Sequence, residues 1–125
     1  MNIGRAFLII GPIYLIVGFL IGGYMAGSQD HALAPAHAHI NLLGFTLMMA
    51  FGLFYAMWPE AQRTLLAQAH FWLHQAGTLI VCVLLVLLYS GQIAEAAMEP
   101  LAPISIVLLL LGAICFLIVA IRHAK

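Results

Sequence analysis

Residues His37–Pro59 read HAHINLLGFTLMMAFGLFYAMWP. The part from Ala38 to Trp58 holds no Asp, Glu, Lys or Arg. At 1.5 Å of rise per residue, such a run is long enough to cross a hydrocarbon core of about 30 Å. It opens on two histidines, and imidazole is the commonest metal ligand among side chains. Ionisable groups at membrane depth are expensive and mark function. The stretch is therefore expected to be a membrane-crossing helix that carries a metal-ligating site near one end.

The rest of the chain has the same character. Of its 125 residues, 66% are hydrophobic and 6% are charged, with a net charge of zero. Soluble domains carry about a quarter charged residues. An integral membrane protein is implied, with lipid as the solvent of its apolar surface. The charge balance gives no sign of a nucleic-acid partner, and the length leaves no room for a separate soluble domain. Cys82 and Cys115 each lie inside an apolar run, with no CxxC, so they read as small packing residues rather than a disulfide. The N-terminal apolar run is too long for a signal-peptide core and reads as a retained span.

Four segments qualify as spans, at about 6–26, 38–58, 71–89 and 101–121, within one domain covering 1–125. An all-α, integral membrane four-helix bundle follows. Arg5, Arg63, Arg122 and Lys125 fall at alternate span ends, while the 27–35 and 90–100 loops hold only Asp30, Glu95 and Glu99. By the positive-inside rule both termini and the Arg63 loop are expected to be cytoplasmic, in a bacterial inner membrane. Tyr24, Trp58, Trp72 and Tyr89 are expected at the interfaces. Pro12 should kink the first span or start its regular part. Gly18 with Gly22, and Gly23 with Gly27, have the small-residue spacing that lets helices approach. These faces are expected to join copies into a homo-oligomer.

His37 and His39 are two residues apart, so on a helix they point about 200° from one another. The His39 face continues through Leu43, Thr46 and Ala50. The His37 face continues through Asn41, Gly44, Met48 and Tyr55. His31, in the preceding loop, can reach the same outer end. In the third span His70 and His74 are four residues apart and share a face, a spacing able to hold one metal. His70 is expected at headgroup level. His74, deeper in, either ligates or bonds to a neighbouring helix. The fourth span has no ionisable residue and reads as a lipid-facing wall, with His123 solvated beyond it. No carboxylate lies within a span to serve a proton relay.

The segment His39-Ile40-Asn41-Leu42-Leu43, followed by Phe51-Gly52, Tyr55 and Pro59-Glu60, resembles the second helix of heme-copper oxidase subunit I, most closely the nitric oxide reductase branch. His70-Phe71-Trp72-Leu73, continuing to Gly77, is similar to the start of that family's third helix. The short four-helix subunit I-like relatives look similar over the whole length. The resemblance implies that His39 is an axial ligand of a low-spin heme. It implies no ligand role for His37, His70 or His74. The large family has many more helices, and those carrying the second axial histidine and the binuclear-centre ligands have no counterpart here. The chain is not expected to reduce oxygen or nitric oxide on its own.

Three functions compete. The first is a heme b protein for electron transfer or diatomic-gas binding, with His39, His37, Asn41 and His74 as candidate cofactor residues and Asn41 and Thr46 as the polar surroundings. No CxxCH occurs, so covalent c-type attachment is excluded. The second is a copper or other transition-metal site. Its candidate histidines are His31, His37 and His39 near Met25 or Met48, and His70 and His74 on the third span. The third is a metal-free structural or assembly subunit of a respiratory complex. A redox partner accompanies the first reading. His39 and His74 are expected to differ in depth by roughly 20 Å, too far to share an iron.

Overall fold

The structure, a computed structural model, describes all residues from Met1 to Lys125. It is 84% helical and contains no strand. Four helices are long and apolar enough to cross a membrane: α1 (Ile3–Ser28), α2 (Ala34–Met57), α3 (Leu65–Tyr89) and α4 (Leu101–His123). Their connections are short, so consecutive helices run antiparallel. The backbone amide of Gly4 bonds to Gln62 Oε1 at 3.3 Å, which ties the N-terminus to the α2–α3 connection. Ile3, Ala61, Ala67 and Val119 share one core cluster, so the C-terminal end of α4 lies there too. All four Lys and Arg residues thus flank one end of the bundle, the basic end.

Local chemistry sets the helix ends. Asn2 Oδ1 accepts the amide of Arg5 at 2.8 Å and caps α1. Thr64 Oγ1 accepts the amide of Ala67 at 3.2 Å and caps α3. The third span therefore starts at Leu65, six residues before the Phe71 read from hydropathy. That extension carries His70 and His74 inward. His70 is fully buried in the bundle. Trp72 moves with them and lies two turns inside the helix, away from its end. α1 continues unbroken through Pro12. Gly11, beside it, packs against Met48 and Met49, so α2 supports the turn that the proline weakens.

α2 is irregular. Ala34–His39 is α-helical, Ile40–Thr46 is π-helical, and Leu47–Met57 is α-helical again. Where an α-helix would bond the Leu47 amide to Leu43, that amide bonds to Leu42 instead.

Glycine sets the close contacts of α1 with α2. A Cβ on Gly44 would enter the ring of Tyr14, and one on Gly52 would meet Leu8 at 2.7 Å. Gly18 lies against Asn41, and Gly22 against His37. The Gly18–Gly22 face is therefore occupied within the chain and is not free to pair copies. A Cβ on Gly23 or Gly27 would meet nothing within 4 Å. α3 and α4 pack closely as well, with Gly77 against Ser105 and Leu109, and Gly112 against His70 and His74. One face of α4 thus belongs to the protein interior, and the other is exposed.

The core is concentrated toward the basic end. Phe7, Phe51, Tyr55 and Phe71 interlock there, with Phe116 of α4 against them. Toward the other end α1 and α3 separate, leaving an apolar groove of about 430 Å³ lined by Ile13, Tyr14, Val17, Ile40, Cys82 and Val86, among others. Cys82 is buried, Cys115 is half-buried, and both are free thiols.

Candidate metal and cofactor site

Six histidines occur, and the fold gives five of them four different settings. His39 stands on the outer surface of α2. Its Nδ1–H donates to the carbonyl of Pro35 at 2.8 Å, one turn earlier. That bond fixes the tautomer and leaves Nε2 as a free acceptor on an exposed ring. Leu42, Thr46, Ala50 and Leu53 continue the exposed face. Thr46 and Ala50 lie where the helical period puts them. Leu43 turns partly inward, because the π segment changes the register.

His37 points the other way. Its imidazole lies against Gly22 of α1, and its Nε2 accepts from Asn41 Nδ2 at 3.1 Å. Asn41 Oδ1 faces Gly18 and has no partner. Asn41 therefore supports His37 and not His39. The pair keys α2 onto α1, and Gly44, Met48 and Tyr55 continue that buried face as the period predicts. His31 is exposed in the loop, with Nδ1–H donating to the Gln29 carbonyl at 3.1 Å.

His70 and His74 form the fourth setting, a polar pair inside the aromatic core. Tyr55 Oη and His70 Nδ1 share a hydrogen bond of 2.9 Å. His70 Nε2 has no partner. His74 Nε2–H donates to the carbonyl of Leu43 at 3.0 Å, with Thr78 Oγ1 at 3.3 Å. Leu43 is the carbonyl that the Leu47 amide passes over in the π segment. The irregular helix and the buried imidazole thus satisfy each other, as buried backbone groups require. Phe51 sits edge-on to both rings, at 4.4 Å from His70 and 5.1 Å from His74 between centroids. Phe7 approaches both from another side. Aromatic rings thus pack against both imidazoles, whose four-residue spacing is able to hold one metal.

His74 is not at the depth expected for it. It bonds to a carbonyl four residues, or about 6 Å of helical rise, from His39. The two imidazoles are still on different sides of α2, one buried and one exposed. His31, His37 and His39 are likewise not convergent, and no three His, Cys, Asp or Glu side chains come together anywhere in the chain. Met48, considered beside them, is buried toward α3, where its Sδ accepts from Gln75 at 3.5 Å.

His74 bonds to a neighbouring helix, one of the two alternatives its sequence position offers, whereas no local composition marks the π segment. No family model matches the chain, and no curated protein or solved structure does either.

Proposed function

We propose that this protein is a heme b-binding membrane protein, with His39 as an axial ligand, serving electron transfer or diatomic-gas binding. The observation that carries the reading is the state of the His39 ring. A ligating histidine usually donates its other N–H to a carbonyl or carboxylate, which orients the ring and raises its basicity. His39 has that arrangement, with Nδ1–H on Pro35 and Nε2 free. The π segment that begins at Ile40 adds support, since such irregular turns are frequent at functional sites.

The residues present fit one axial side of a heme. Leu42 offers an apolar neighbour beside the exposed imidazole, and Thr46 adds one hydroxyl further along the same face. Bound there, the iron would supply one-electron redox chemistry or an open coordination position. His39 would hold and orient it, and Leu42 would help exclude water from the ligated side. His37 stays engaged with Asn41 and α1, so it keeps the rotation of α2 fixed rather than ligating. The far side of the ring would face lipid, a second copy of the chain or a redox partner. The resemblance of the His39–Leu43 segment to heme-copper oxidase subunit I points the same way.

The test is the absorption spectrum and metal content of the detergent-purified protein. We expect a Soret band that His39→Ala abolishes and His123→Ala leaves intact. A colourless wild type containing stoichiometric copper would support the transition-metal reading. A colourless, metal-free one would support a structural or assembly subunit. A full heme spectrum in His39→Ala, lost instead in His74→Ala, would move the site into the bundle and refute the assignment.

A further inference from the structure

We infer that the basic end of α1 and α2 forms a binding site for one anionic phospholipid, with its phosphate on Arg5 and Arg63 and an acyl chain in the groove beside Leu8 and Ile9. Two adjoining hollows open at that end. One is lined by Asn2, Gln62, Arg63 and Gln68, with Met1. The other, of about 430 Å³, begins at Asn2, Arg5 and Gln62 and continues into the apolar surface of Leu8, Ile9, Ala56 and Pro59. Asn2 and Gln62 belong to both, so they form the saddle between them. The combined surface changes from cationic and polar at the rim to apolar along the helices, as a phospholipid does from phosphate to chain.

The arginines at the rim are in no ion pair, and Glu60 is the one carboxylate in the same connection. Arg5 and Arg63 are exposed, and no Asp or Glu comes within 4.0 Å of either guanidinium. The polar saddle is fixed by its own bonds. Gln62 Oε1 accepts from Gly4, and Asn2 Oδ1 accepts from Arg5. Both acceptor oxygens are therefore used, and the amide N–H groups of the two side chains are what remain for a ligand. They suit an anion and not a cation. The Gly4 and Arg5 amides at the start of α1 are already capped by these two residues. Arginine presents a planar fork matched to phosphate oxygens, and basic pockets between membrane helices on the cytoplasmic side bind anionic headgroups. Ile9 is 53% exposed, so the chain-binding part is open to the bilayer. The site is independent of any cofactor on His39, which lies at the opposite end of α2.

Native mass spectrometry of the full chain in detergent tests this, with phosphatidylglycerol and phosphatidylcholine of identical acyl chains as probes. We expect retention of one phosphatidylglycerol in preference to phosphatidylcholine, each arginine contributing about fivefold to the preference. The double variant Arg5→Gln/Arg63→Gln should lose the preference, and Arg122→Gln should keep it. Ile9→Trp, which fills the groove without touching the charges, should weaken binding of both lipids and provides the readout if the arginine variant does not fold. Inorganic phosphate at equal concentration should not compete, since it has no chain to bury. Equal retention of the two lipids by wild type, competition by free phosphate, or an undiminished preference in the double variant would overturn the assignment.

Discussion

Replacing His74 by leucine removes the one side-chain donor that satisfies the irregular turn of α2. His74 is 4% exposed, and its Nε2–H bonds to the Leu43 carbonyl at 3.0 Å. Leucine is close to histidine in volume and keeps the contacts with Phe7 and Phe51 roughly filled, so cavity effects are small. What is lost is one interhelical hydrogen bond, worth about 0.6 and at most ~1.7 kcal/mol in membrane proteins. The carbonyl left behind has no water to turn to, and an unpaired buried acceptor costs about 1–3 kcal/mol. These figures overlap rather than add, so the expected destabilisation is about 1–2 kcal/mol. Reversible unfolding in mixed detergent–SDS micelles measures it. Leu110→Ala, on the lipid-facing side of α4, serves as the control and should stay within about 0.5 kcal/mol of wild type. Amide exchange adds a second readout, because the Leu47 amide should change protection as the π segment relaxes toward an α-helix. A His74→Leu variant as stable as wild type, with unchanged exchange at Leu47, would refute the claim that the bond supports the turn.

The glycines separate into two classes that mutagenesis should resolve. Gly44→Ala places a methyl in the Tyr14 ring and should cost more than about 2 kcal/mol, whereas Gly23→Ala meets nothing within 4 Å and should be neutral within about 0.5 kcal/mol, both read from unfolding curves. The distribution of Lys and Arg predicts the orientation. Reporter fusions after Arg63 and Lys125 should give a cytoplasmic signal and those after Ser28 and Glu95 an extracytoplasmic one, and an external Arg63 fusion would invert the topology.

The four spans were legible because each is a long apolar run bounded by polar residues, which hydropathy reads directly. The start of α3 was not. Leu65–His70 contains Gln68 and His70, polar enough to look like a loop. Yet Thr64 is a standard N-cap residue, and the helix it begins follows at once. The Thr64 cap by itself puts His70 and His74 within the helix rather than at its start. The opposed faces of His37 and His39 followed from the helical period alone. The π segment did not, because no residue in Ile40–Thr46 forbids an ordinary α-helix. It exists through a donor on another helix, and single-chain patterns do not register such tertiary contacts. The Gly18–Gly22 spacing correctly marked a close approach, but the spacing does not say whether the neighbour is the same chain or another. Asn41 and His37 decide that question here.

The exposure of His39 is itself a consequence of packing. A histidine near the end of an apolar helix gains by turning into the bundle, where a hydrogen-bond partner can shield it. His37 takes that inward position, with its ring on Gly22 and its Nε2 on Asn41. Gly18 and Gly44 then allow α1 and α2 so close an approach that α2 has little freedom to rotate. A helix held in that register must present the residue two places on to the outside. The Pro35 carbonyl lies one turn back and has a second lone pair with which to accept the His39 Nδ1–H. His39 is therefore oriented by the same contacts that assemble the first two helices. A substitution that loosens them, such as Asn41→Leu, acts on the outer imidazole only through the rotation of α2, with the Pro35 bond left intact.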